Sequence, residues 1–177
     1  MLKLLKIISK AGEATAKYPF APFPVAPGFR GKPELNAAQC IACGACTQAC
    51  PPNALSMAND SQAGTRTWTL NLGRCIFCGR CEEVCPTHAI VLTQEFELAV
   101  GNKNDLLQSA TFSLAHCASC QQAFTSAKEL RYVQDLLLQS GYPMTESQRA
   151  QLETCPECKR KQCIERDGQS IRAEDRA

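Results

Sequence analysis

The sequence predicts an α+β fold built from two similar halves, on the strength of three observations. A twelve-residue phrase is written twice, as CIACGACTQACP at 40–51 and CIFCGRCEEVCP at 75–86. Each copy runs into a short apolar stretch of strand length, ALSM at 54–57 and AIVL at 89–92. Between the copies, Thr67, Thr69 and Asn71 alternate with Trp68, Leu70 and Leu72 after a turn near SQAG, the two-residue period of a half-buried strand. Each half is therefore a cysteine-bearing loop, a short helical turn and a strand.

Length and composition set the limits on this reading. The 177 residues suffice for one ordinary domain, or a small one with an appendage. Aromatic residues make up only 6% of the chain, so its core is thin unless something else ties it together. The formal net charge of +2 gives no reason to expect a nucleic-acid partner. No run of about 18 apolar residues is present to span a bilayer, and the lysine-interrupted opening MLKLLKIISK makes no secretory signal. A reducing, cytosolic setting is expected, where the thirteen cysteines bind metal rather than pair as disulfides.

Residues 1–35 read as an N-terminal extension. Leu2, Leu5 and Ile8 share one helical face and Lys3, Lys6 and Lys10 another, the pattern of an amphipathic helix suited to a membrane interface or a partner's apolar groove. Pro19, Pro22, Pro24 and Pro27 then exclude a helix, so YPFAPFPVAPGFRGKP is expected to run extended, as a strap around a neighbour.

Residues 36–100 hold the repeat. Both copies obey C-x2-C-x2-C-x3-C-P, in which three cysteines wrap one corner of a [4Fe-4S] cube and the fourth ligates the cluster of the other copy. Cys40, Cys43, Cys46 and Cys85 are thus expected to hold one cluster, and Cys75, Cys78, Cys81 and Cys50 the second. Pro51 and Pro86 turn the chain out of each loop, while Gly44 and Gly79 give the backbone freedom near the sulfides. Ile41, Leu55, Ile76, Phe77, Val84 and Ile90 are candidates for an apolar wall. Two such halves related by a pseudo-twofold make a two-[4Fe-4S], bacterial ferredoxin-like domain, whose paired one-electron centres pass electrons.

Residues 101–116 read as a linker and 117–163 as a small metal-knuckle helical region. Cys117-x2-Cys120 and Cys155-x2-Cys158 offer four soft thiolates for one mononuclear zinc or iron. Leu130, Val133, Leu136 and Leu137 recur at helical spacing between them, and TESQRAQLE continues as a second helix. Cys163 lies outside both pairs and reads as an ordinary thiol, Lys159–Lys161 as a solvated basic face, and 164–177 as a polar, frayed tail. His88 and His116, the only histidines, read as surface or supporting residues rather than ligands. No glycine-rich nucleotide loop and no nucleophile–base pair is visible, so no catalytic residue and no small-molecule substrate is expected.

PGFRGKP before the first motif, the two motifs, and QEFELAVGNKNDLL after the second resemble the two-cluster subunit of respiratory complex I and its hydrogenase relatives. The C-terminal pairs and the opening MLKLLKIISKAGEATAKYPFAP are most similar to the hydrogenase-4 component H and formate hydrogenlyase subunit 6 branch. That resemblance implies an electron-transfer subunit with no activity of its own, peripheral on the cytoplasmic side of the inner membrane. The implied partners are nickel–iron hydrogenase subunits, a formate dehydrogenase-linked ferredoxin-type subunit and membrane-arm subunits. The alternatives are a complex I subunit, which the C-terminal pairs disfavour, and a free ferredoxin, which the greasy N-terminus and proline strap disfavour. A zinc-knuckle binding protein comes last.

Overall fold

The alternation at 65–71 folds as the middle of the molecule. In the computed structural model, which describes residues 2–12 and 15–174, β3 (Thr65–Asn71) pairs antiparallel with β2 (Leu55–Asp60) on one side and with β5 (Leu107–His116) on the other. Trp68 and Leu70 point inward at 1% exposure, and in register with Trp68 stand Met57 and Ala110. A fourth strand, β6 (Ala123–Ser126), closes the sheet in the order β2-β3-β5-β6. A separate two-stranded ribbon pairs β1 (Pro33–Leu35) with β4 (Ile90–Leu92), Leu35 opposite Ile90.

The duplication of the sequence is a duplication of backbone. Ala42 and Phe77 both take the left-handed region, at φ 55° and 53°, as do Gly44 and Gly79 at 80° and 82°, and Asn53 and His88 at 50°. Each glycine opens a single helical turn, α2 (Ala45–Gln48) or α3 (Arg80–Glu83). Asn53 N–H and His88 N–H close the exit turns onto Cys50 and Cys85 carbonyls, each at 3.2 Å.

Two stretches differ from their sequence readings. Residues 107–116 are the longest strand of the sheet rather than a linker. Their period of two is genuine, but Gln108 and Ala110 occupy the first inward positions and only Phe112 and Leu114 are buried, so the apolar signal is short. Residues 164–174, read as a frayed tail, continue α6 (Pro156–Glu174). Pro156 and Glu157 favour its first turn, and no later proline interrupts the run. Residues 175–177 of that tail lie outside the described residues.

The C-terminal helices form where expected. Buried Ser126 caps α4 (Ala127–Gln139) by accepting from Lys128 N–H, and Thr145 and Gln148 make a reciprocal capping box at α5 (Glu146–Leu152). α4 is no detached appendage. Lys128 Nζ donates to the carbonyls of Ala37 (2.8 Å) and Ala38 (3.1 Å), just before the first cysteine loop, and lies 5.5 Å from the centre of the Phe112 ring.

The N-terminal arm, expected as a strap around a neighbour, lies in part on its own domain. Tyr18, Phe23 and Phe29 gather around Phe96 at centroid distances of 6.0–6.2 Å. Gly31 N–H and Lys32 N–H donate to Thr93 and Glu95 carbonyls, so this half of the arm lies on its own domain. α1 (Leu2–Ala11) keeps Leu4, Leu5, Ile7 and Ile8 exposed, and Phe20 is 96% exposed. Among the described residues, no helix is long and apolar enough to cross a membrane.

Gly31 is where the arm is tied down. A Cβ there would collide with the Glu95 carbonyl and stand 2.7 Å from the Thr93 oxygen, both rigid backbone. Gly31→Ala is therefore expected to free the arm, costing about 1–3 kcal/mol of docking. Limited proteolysis should show faster cleavage within residues 15–30, with the cysteine region unaffected.

Candidate metal centres

Folding gathers the eight cysteines of the repeat into two sets of four. Cys40, Cys43, Cys46 and Cys85 line one cavity, and Cys50, Cys75, Cys78 and Cys81 line another. Each set takes three sulfurs from one copy of the phrase and the last from the other. The helical turns α2 and α3 pack together, so each carries its final cysteine toward the opposite loop. The β1–β4 ribbon covers both cavities, with Leu35 and Ile90 over the first, and Pro33 and Leu92 over the second.

The walls are apolar. Ile41, Met57, Ala89 and Ile90 line the first cavity, and Leu55, Leu70, Ile76 and Phe77 the second. Of the expected wall, only Val84 lines neither. It follows Glu83 as the residue that ends α3.

Backbone donors repeat with the fold. Ala42 N–H points at Cys40 Sγ and Phe77 N–H at Cys75 Sγ, both at 3.4 Å. Ala89 N–H reaches Cys85 Sγ at 3.2 Å and Ala54 N–H reaches Cys50 Sγ at 3.3 Å. These donors favour thiolate, but burial opposes it. Burial pushes the Cys46 thiol up to about 11 and the Cys81 thiol up to about 12, and it raises Cys40 and Cys75 as well. At Cys85 burial also works upward, yet the N–H groups around it and the Thr87 hydroxyl outweigh it and lower the thiol. Four thiolates in an apolar cavity repel one another and lack water, so the set is stable only around a cationic core. Soft sulfur donors in fours, with N–H groups aimed at them, fit an iron–sulfur cluster.

The C-terminal pairs converge independently. The Sγ atoms of Cys117, Cys120, Cys155 and Cys158 all lie within 4.8 Å of one another, and Cys120 and Cys155 sulfurs are 3.8 Å apart. Among the described residues this is the group that could hold a lone ion, and it includes no histidine. The first pair sits in the turn between β5 and β6, and the second opens α6. Cys155 N–H reaches across to Cys117 Sγ at 3.2 Å, and Ser119 N–H donates to the same sulfur at 3.4 Å. These donors, Cys155 N–H foremost, bring the Cys117 thiol down to about 6, while the sulfurs of Cys155 and Cys120 push Cys158 up to about 12. One thiolate beside held protons is the condition a soft divalent ion relieves, by displacing those protons.

The remaining candidates fall elsewhere. Cys163 is exposed on α6. His88 holds the exit turn after Cys85, and His116 ends β5 near Gly64. Four residues that the sequence reading passed over surround the cysteines. Arg66 donates to the Ala42 carbonyl at 2.9 Å, Arg30 to that of Cys78 at 2.8 Å, and Thr87 Oγ1 lies 3.7 Å from Cys85 Sγ. The fourth is Trp68, whose buried indole N–H has no protein acceptor. Nothing in the spacing of single arginines or of a strand tryptophan marks them. Only the place of Thr87, where the other copy has Pro52, was visible as a break in the repeat.

Comparison with known proteins finds three likenesses. The family model of the 4Fe-4S dicluster domain matches residues 39–89. The chain is 51% identical over 164 residues to formate hydrogenlyase subunit 6 of Escherichia coli (strain K12), covering 93% of this chain and 91% of that one. A subunit in the solved structure of the membrane-bound sulfane sulfur reductase, an archaeal respiratory membrane complex, is 31% identical, covering 59% of this chain and 56% of its own, with a TM-score of 0.46.

Proposed function

We propose a function from one premise: the chain belongs to the family of formate hydrogenlyase subunit 6. It is an electron-transfer subunit with two [4Fe-4S] clusters, one seated among Cys40, Cys43, Cys46 and Cys85 and the other among Cys75, Cys78, Cys81 and Cys50. The single observation that carries this reading is the sorting of the eight thiols into two cavities with the last cysteine of each phrase exchanged. The rest of the layout is that of a bacterial ferredoxin-like domain, with an N-terminal arm and a C-terminal region held by a mononuclear zinc or iron at Cys117, Cys120, Cys155 and Cys158.

Each cluster, when bound, takes up and gives back one electron without a bond being made or broken at a substrate. The chain's own residues make that exchange fast and private. Eight cysteines hold the centres in adjoining cavities, apolar side chains from β1, β2 and β4 limit water, and N–H donors on the sulfurs absorb the added charge. Beyond the cysteines and Thr87, the described residues that line the two cavities are apolar or glycine; the subunit relays electrons and its neighbours do the chemistry. It works within a membrane-bound formate hydrogenlyase or hydrogenase assembly. A formate dehydrogenase-linked ferredoxin-type subunit lies on one side, nickel–iron hydrogenase subunits on the other, and membrane-arm subunits beneath. The site is peripheral, on the cytoplasmic face. The exposed apolar side of α1, with Lys3, Lys6 and Lys10 on the helix and no acid among residues 2–12, supplies a docking surface for that assembly.

Four measurements test the reading. Anaerobically purified complex should carry about eight irons and eight acid-labile sulfides on this subunit, and a value near four would overturn the pairing. Cys50→Ser should abolish the signal of the cluster seated in residues 75–81 and leave its neighbour largely intact. The opposite loss would reject the exchange of the fourth sulfur. Cys120→Ser or Cys155→Ser should remove about one further metal per chain while the cluster irons stay. In the intact holoprotein an alkylating reagent should modify Cys163 alone among the cysteines, read by intact mass.

A further inference from the structure

The two cluster seats are copies in their backbone donors but not in their side-chain donors. Cys40 and Cys75 each accept from the N–H two residues on, and Cys50 and Cys85 each accept from the N–H four residues on. To this shared set the first seat adds the Thr87 hydroxyl, 3.7 Å from Cys85 Sγ, where the other copy has Pro52 and no donor. The first seat also has Trp68. Its indole lies in the sheet at 1% exposure, in register with Met57, which itself lines that cavity.

A buried N–H without a partner forfeits its hydration with no return, so its persistence calls for an acceptor. Trp68 Nε1 is the buried side-chain donor lacking one among the described residues. Cys40, Cys46 and Cys85 of the first seat pack against the group of buried side chains that includes Trp68, and the strand partner of Trp68, Met57, lines their cavity. Protein atoms alone do not complete the bond; a thiolate or sulfide carrying full charge is the acceptor this donor lacks.

We infer that Trp68 is a positioning residue for electron transfer, donating its N–H to a sulfur of the cluster at Cys40, Cys43, Cys46 and Cys85 and making that cluster the higher-potential member of the pair. This rests on the seat assignment proposed above. Reduction adds one electron and one negative charge to the cluster, and every hydrogen bond to its sulfurs stabilises the reduced form more than the oxidised form. Nearby charge acts in the same direction. Lys128 grips the carbonyls of Ala37 and Ala38, whereas Arg66, which bonds the Ala42 carbonyl in that loop, has its charge answered by Glu129 at 3.8 Å. The other seat has Arg30 on the Cys78 carbonyl, but that side chain is exposed and its charge is screened by water and salt. The first electron to enter the subunit therefore settles in the seat beside Trp68.

Trp68→Phe keeps an aromatic ring in the sheet and removes the donor. In the purified complex, a potentiometric titration followed by EPR should show the midpoint of one cluster falling while the other stays fixed, with the iron and sulfide content unchanged. Equal shifts at both clusters, or no shift, would overturn the inference. Should the variant lose its clusters, the native complex answers instead. Trp68 is the only tryptophan of the chain, so subunit-specific labelling with 15N-indole tryptophan places one nitrogen label in this protein. A 15N hyperfine coupling on the first cluster to be reduced is expected, and its absence at a full iron and sulfide complement sinks the role of Trp68 alone. A low iron and sulfide count instead indicts the seat assignment.

Discussion

The exchange of one cysteine between two copies of a loop is the constraint on which the rest of the molecule depends. Cys50 leaves its own phrase to complete the cavity of Cys75, Cys78 and Cys81, and Cys85 returns the favour. Neither half has a complete ligand set or a complete wall by itself. Six aromatic residues in a hundred build little core, and the buried apolar side chains close around the cysteine loops themselves. Cohesion of this region therefore falls to sulfur–metal bonding, which is folding free energy in proteins of this kind. Side-by-side redox centres follow from the same exchange, so stability and electron transfer share one cause.

Around that duplicated centre the fold adds parts that are not duplicated. β3, β5 and α4 pack on one side, bringing Trp68, Arg66 and Lys128 toward the first loop, while the second receives Arg30 from the arm. A pair of equivalent cubes exchanges electrons with no preferred direction at rest. Unequal surroundings supply the bias, and they come from segments outside the repeat. The C-terminal thiol cluster has a structural place in this arrangement. It joins the β5–β6 turn to the start of α6.

The arm divides into a part that belongs to the domain and a part that does not. Tyr18, Phe23 and Phe29 find a partner in Phe96 because they flank a chain already tied by two backbone hydrogen bonds to residues 93 and 95. Phe20 and the apolar face of α1 stay exposed among the described residues. Such a surface suits a subunit whose family works as part of a larger assembly.

The sequence by itself determined the chemistry of the molecule: the count and spacing of cysteines, the identity of the cofactor they suit, the strands on either side of the turn near SQAG, and helices at α4 and α5. Those properties are local or periodic, and a spacing such as C-x2-C-x2-C-x3-C-P is set by the reach of the backbone around a cube. Only the tertiary structure decided how unlike the two seats are. That 107–116 is a strand was hidden because Gln108 and Ala110 sit inward without being strongly apolar, their places fixed by pairing with β3 rather than by their own hydrophobicity. The return of the arm onto Phe96 was hidden for the same reason, since contacts between residues 18–32 and 93–97 join distant parts of the chain. The indole N–H of Trp68 belongs with them: the alternation of its strand foretold that the ring would be buried, but nothing along the chain said which sulfur it would meet. Long-range partners are chosen by packing, and packing is not written in any one segment.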